Sequence, residues 1–119
     1  MIAFYCYSRC STCQKAKKLL DEHGVSYEMK DISNHQLTKE DFRQLHKRSG
    51  LPLKRLFNTS GQLYRSLNLK DRLDTMTPDE AYELLSQYGM LVKRPLLITD
   101  QHVLFGFNEE EYKKVIQNV

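Results

Sequence analysis

The chain has 119 residues, 40% hydrophobic and 28% charged, which suits one soluble globular domain with a modest core. No stretch approaches the roughly 20 apolar residues of a membrane helix. The start, MIAFYCYS, has no basic region and is too short for a secretory leader, so a cytoplasmic location is expected. The net charge of +3 is spread along the sequence and gives little pull on an anionic partner, and three cysteines are too few for a disulfide scaffold.

Met1 to Tyr7 alternates, with Ile2, Phe4 and Cys6 on one face and Ala3, Tyr5 and Tyr7 on the other. Apolar residues on both faces predict a strand buried on both sides. Ser11 to His23 predicts a helix, with Cys13, Ala16, Leu19 and Leu20 at helical spacing and Gly24 as its stop. Val25 to Ile32 predicts a second strand, with Val25, Tyr27 and Met29 on its apolar face. Together these make a right-handed βαβ unit.

The middle of the chain predicts helices. Thr38 with Asp41 resembles a capping box opening a helix to about Lys47. Pro52 begins a short helix through Phe57, and Asn58-Thr59-Ser60-Gly61 is a turn cluster. Thr77-Pro78-Asp79-Glu80 is a strong start signal for a helix that carries Ala81, Leu84 and Leu85 inward and stops at Gly89. Pro95 to Thr99 and His102 to Phe105 predict an antiparallel hairpin through Asp100-Gln101. Asn108 with Glu111 caps a last helix to about Gln117. A βαβ half, a helical insertion at about residues 35–90 and a ββα half describe an α/β, thioredoxin-like fold. It has a four-stranded mixed sheet and occupies residues 1–119 as a single domain.

The chemistry gathers at Cys10-Ser11-Thr12-Cys13. In a reducing compartment a C-x-x-C pair is catalytic, regulatory or metal-binding rather than structural. Cys10 falls at the predicted helix start, where free N–H groups and the macrodipole favour an anion. Cys10 is therefore expected to be the nucleophile, with a lowered pKa helped by nearby Arg9 and Lys15. Cys13, one turn on, is placed to attack a mixed disulfide on Cys10 and release the partner as a thiol. C-x-x-C beside a βαβ pattern favours this redox reading. Cys6 completes a C-x3-C-x2-C spacing able to offer three thiolates to an iron–sulfur cluster. Its strand position instead reads as a small buried hydrophobe beside Ile2 and Phe4. Zinc wants four ligands, and no second C-x-x-C or H-x3-H is present. His23, His35, His46 and His102 are scattered and read as surface or boundary residues. No metal site is expected.

Several segments carry a family resemblance. Phe4-Tyr5, Cys10 to Lys18, Leu56-Phe57-Asn58-Thr59-Ser60-Gly61, Lys93-Arg94-Pro95-Leu96 and Gly106-Phe107-Asn108-Glu109-Glu110-Glu111 together resemble the ArsC/Spx family, in order and over nearly the whole chain. That family combines glutaredoxin-like arsenate reductases with Spx-type redox regulators. The resemblance implies that Pro95 is cis and faces the cysteine loop, and that Arg94 lies near the thiolate and holds an oxyanion. The implied site has Cys10, Cys13 and Arg94 as catalytic residues and Ser11, Thr12 and Pro95 as substrate-binding ones. Further arginines are implied around the oxyanion. His102-Val103-Leu104-Phe105 has none, and an upstream basic position falls at Lys54-Arg55.

On the reductase branch the resemblance implies an arsenate or protein-disulfide substrate and an external thiol reductant such as glutathione, glutaredoxin or thioredoxin, with no bound cofactor. On the Spx branch it implies a C-x-x-C redox switch whose partner is the C-terminal domain of the RNA polymerase α-subunit. Ser49 to Arg55 departs from the main regulator pattern. A monomer with no direct nucleic-acid binding is expected on both branches.

Overall fold

The computed structural model describes residues 2–117, so Met1 of the first predicted strand lies outside the described residues. The chain forms two compact units. One contains the residues up to Asp31 together with those from Arg94 onward, and the other is Ile32–Lys93.

The first unit is built on a four-stranded sheet. Strand β1 (Ala3–Cys6) lies between β2 (Glu28–Asp31) and β3 (Leu96–Ile98), and β4 (Val103–Phe105) completes the order β2-β1-β3-β4. β1 and β2 are parallel, whereas β1–β3 and β3–β4 are antiparallel. With helices α1 (Ser11–Glu22) and α6 (Glu109–Ile116; α2 to α5 belong to the other unit), this is the thioredoxin-like α/β arrangement the sequence predicts. Phe4 and Cys6 on one face of β1 pack with Cys13, Ala16, Leu19 and Leu20 of α1 and Tyr112 and Val115 of α6. Tyr5, on the opposite face, is also buried, as a central strand requires.

Gly24, just past the His23 cap of α1, takes φ +66°, and the Val25 amide returns to the Leu20 carbonyl at 3.1 Å. That turn consumes Val25 to Tyr27, so β2 is shorter than the predicted Val25–Ile32. Its apolar face is shorter too. Val25 and Tyr27 pack against the core, but Met29 is 47% exposed, because β2 is an edge strand bonded on one side only.

The Arg94–Pro95 bond is cis, and the buried Pro95 accepts the Gly106 amide at 2.8 Å. Thr99 closes the hairpin, its hydroxyl accepting the Gln101 and His102 amides at 3.2 and 2.9 Å. Asn108 caps α6 by accepting the Glu111 amide at 3.0 Å.

The second unit is helical. Its main helices are α2 (Lys39–Ser49) and α5 (Pro78–Gln87), which pack on each other. Both open with complete capping boxes, Thr38 with Asp41 and Thr77 with Glu80, at the places the sequence signals them. A 3₁₀ turn covers Leu53–Leu56 after Pro52. Two short helices, α3 (Gln62–Ser66) and α4 (Leu69–Arg72), were not expected. Neither has a side-chain cap, and α4 starts from Asn68 in the left-handed region at φ 54°.

Helix α5 stops at Gln87, ahead of the predicted Gly89, and buries Ala81, Tyr82 and Leu85, with Leu84 only half-buried. Gly89 has a different use from a helix stop. A Cβ there would collide with the backbone oxygen of Ile32, so the glycine lets two backbone segments touch.

Candidate active site at the thiol loop

Strand β1 hands over to α1 through a tight turn in which the Cys10 amide donates to the Tyr7 carbonyl at 3.0 Å. Cys10 itself is the N-cap, in extended conformation, and its Sγ accepts the Cys13 amide at 3.4 Å. A sulfur thus occupies the place a capping oxygen takes in most helices. Cys10 is half-buried and Cys13 fully buried. The Gln14 side chain donates to the Ser8 carbonyl at 3.3 Å and braces the turn.

The Cys13 sulfur is a focus of donors. The Tyr7 amide approaches it at 3.5 Å, and the thiols of Cys6 and Cys10 also bond to it. The hydrogen bond from Cys6 is the largest influence, and the amide, Cys10 and the positive charge of Arg94 act in the same direction. They outweigh burial and bring the Cys13 thiol down to about 6. Cys6 moves the opposite way. Its bond to Cys13, its burial and the negative charge on the neighbouring sulfurs all favour the protonated form. The pair is therefore a Cys6 thiol donating to a Cys13 thiolate.

Two further polar groups stand here without partners. Arg94 lies over the Tyr7 ring, its guanidinium carbon 5.1 Å from the ring centroid, and its buried Nη1 has no hydrogen-bond acceptor. Tyr112, fully buried in the same core as Cys6 and Cys13, has an unpartnered hydroxyl. Burial and the negative charge of the two cysteines push its ionisation up.

The structure therefore gathers Cys10, Cys13 and Arg94 around one turn. Ser11 and Thr12 stand exposed on the first turn of α1, beside Cys10. Arg9 and Lys15 are also exposed, and Arg94 is the cation that acts on the Cys13 sulfur. Lys54 and Arg55 lie in the helical unit. Sequence reasoning missed the Tyr7 amide and ring, the Tyr112 hydroxyl and the bond made by Cys6. The one available signal was a tyrosine at a core position of the last helix.

Among the described residues, no group of three or more His, Cys, Asp or Glu side chains is arranged to hold a metal ion. No helix among them is long and apolar enough to cross a membrane. A cleft of about 910 Å³ opens at the other end of β1, lined by residues including Ile2, Val25, His23, His102 and Ile116. It contains no cysteine, so its size does not make it the centre of the chemistry.

The sequence matches the model of the ArsC family over residues 5–115. Bacillus subtilis YusI is 46% identical over 113 residues, covering 95% of this chain and 96% of that protein. The Bacillus cereus regulator Spx 2 is 26% identical over 116 residues, covering 98% of this chain and 87% of its own length. Among solved structures, an ArsC-family-related protein from Bacteroides fragilis superposes with a TM-score of 0.92 at 46% identity, covering 96% of each chain.

Proposed function

The chain belongs to the ArsC family, and from that premise we propose that it is an arsenate reductase-like thiol–disulfide oxidoreductase, with Cys10 as nucleophile and Cys13 as resolving thiol. One observation carries this reading: a half-exposed Cys10 sulfur caps α1 and bonds the amide of a Cys13 whose own sulfur is held as an acceptor. The Cys10 sulfur stands at the first turn of α1, partly open to solvent and resting on a backbone amide. Cys13 has the ionisation of a good attacking and leaving thiol near neutral pH.

With arsenate as substrate, the buried, unpaired Nη1 of Arg94 supplies a donor for an oxyanion. The Cys10 thiolate bonds to arsenic and displaces one oxygen, which leaves as water after protonation. The Cys13 thiolate then attacks the Cys10 sulfur. The sulfur–arsenic electron pair stays on arsenic, which leaves as arsenite, reduced from the +5 to the +3 state. Cys10 and Cys13 become a disulfide. An external thiol system (glutathione, glutaredoxin or thioredoxin) returns two electrons and two protons. A protein disulfide follows the same route through a mixed disulfide on Cys10. The reducing cytoplasm is the compartment this chemistry suits.

The test is substrate-dependent NADPH oxidation, coupled through glutathione or thioredoxin reductase, with arsenate and with a model protein disulfide. Turnover that Cys10→Ser abolishes is expected, and no turnover with any thiol donor overturns the enzyme reading.

A second reading has support in the similarity to Spx 2 together with the paired cysteines. In it, the Cys10–Cys13 disulfide is a sensor that changes an interface for the RNA polymerase α-subunit. Pull-down of that subunit, altered by oxidation, is expected, and absence of binding in both redox states overturns it.

A further inference from the structure

Cys6 is the thiol that neither reading uses. It is 5% exposed, at the end of β1, in the same buried cluster as Cys13, with which its thiol interacts. The Tyr7 amide, whose nitrogen is bonded to the Cys6 carbonyl carbon, is 3.5 Å from that same sulfur, so the Cys6 backbone and side chain both border Cys13. Cys13 therefore has one cysteine on each side. Cys10 lies toward solvent, with its sulfur on the Cys13 amide, and Cys6 lies in the core. The unpartnered Tyr112 hydroxyl is buried in the same cluster, a donor available to whichever inner sulfur carries charge.

We propose that Cys6 is a third redox thiol, which exchanges with the Cys10–Cys13 disulfide to form a buried Cys6–Cys13 disulfide and set Cys10 free. The step is a thiol–disulfide exchange with no net redox change. The Cys6 sulfur attacks the Cys13 sulfur, the Cys10–Cys13 bond breaks as the Cys6–Cys13 bond forms, and Cys10 departs with the electron pair. The proton that Cys6 gives up ends on the departing Cys10 sulfur. The oxidising equivalent moves into the core, where a disulfide is shielded from external thiols. A reactive thiol returns to the surface of a protein that is still oxidised.

This inference rests on the Cys10–Cys13 redox pair proposed above, and the experiment separates the two. The full chain is oxidised with diamide, freed of reagent and held under native conditions with iodoacetamide. Peptides are then mapped by mass spectrometry without reduction. Alkylation consumes any Cys10 that is released and so draws even a small exchanging fraction to completion. The expected product, accumulating with time, carries carbamidomethyl on Cys10 and a Cys6–Cys13 disulfide, and it is lost in Cys6→Ala. A Cys10–Cys13 disulfide that forms but persists unalkylated in the wild-type chain overturns the exchange and leaves the redox pair standing. Failure of any disulfide to form overturns both. The decisive reading is on the wild-type protein, so it stands whether or not Cys6→Ala folds.

Discussion

The two units treat their interior polar groups differently. In the helical unit nearly every one is answered. His46 is bonded through both ring nitrogens, to the Tyr82 hydroxyl at 2.6 Å and the Leu51 carbonyl at 2.8 Å. His35 is likewise held between the Leu85 carbonyl and the Leu37 amide at 2.9 and 3.0 Å. Asp79 collects Lys39 and Arg43 at the surface, and both long helices have full capping boxes. In the sheet unit, the turn after β1 leaves a guanidinium nitrogen and a hydroxyl open around three free thiols. Native interiors leave few such groups, and open groups beside a nucleophile are where reactions are run. Tyr64 shows that an open hydroxyl alone is not enough. It also lacks a partner, but it packs in the helical unit against Phe57. The combination with sulfur and a cation makes the difference.

The sharpest break of this contrast is at Arg94. Arg94→Ala should lower arsenate-dependent turnover by about 10²- to 10³-fold, the cost of losing one oxyanion donor. Arg43→Ala, which removes an exposed ion pair in the helical unit, should leave turnover unchanged. Equal losses in the coupled assay would sink the assignment of chemistry to the sheet unit alone. Gly89→Ala comes next. A Cβ there meets the Ile32 backbone, which cannot move aside as a flexible side chain can, so a cost of about 1–3 kcal/mol is expected in chemical denaturation. Undiminished stability would show that the contact is loose.

Acid separates the units by window. Cys13 has its ionisation lowered from the ordinary 9.0 to about 6, so its contribution to stability is complete above 9 and is lost as pH falls through 6. His35 is lowered from 6.5 because burial disfavours its charged form. The unfolded chain takes that proton first, so stability falls again as pH drops below 6.5. Urea midpoints against pH should show both slopes. Cys13→Ser should flatten the upper one and His35→Gln the lower. A single slope surviving both substitutions would place the titration elsewhere.

Much of this was legible in the sequence because it is local. Capping boxes, the Gly24 stop and the C-x-x-C at a strand-to-helix turn depend on neighbours a few residues apart, and each occupies its expected place. What was not legible depends on register between distant elements. Cys6 was legible as a buried residue of β1, but its bond to Cys13 follows from how β1 and α1 face each other. Gly89 reads as a helix stop until Ile32 is seen packed against it. Met29 has the right alternation for a buried face and loses it because β2 is an edge strand. The short α3 and α4 have no side-chain caps for a reader to find.

The smallest expected effect tests the contrast most directly, because the same atom can be removed from both units. Tyr112→Phe and Tyr64→Phe each delete a buried hydroxyl that has no partner. Neither loses a hydrogen bond, so both should be neutral or stabilising by about 1 kcal/mol, since an unsatisfied buried group is a cost to the fold. Their effects on the thiols should differ. The Tyr112 hydroxyl is close enough to Cys6 and Cys13 for their charge to raise its own ionisation. Its unpartnered O–H is available to turn toward a sulfur once that sulfur is charged, so Tyr112→Phe should move the thiolate absorbance midpoint near 240 nm to higher pH. Tyr64→Phe should not move it. If the two variants gave the same titration, the open hydroxyl beside the cysteines would be a packing residue like Tyr64, and the chemistry of the loop would reduce to its sulfurs and Arg94.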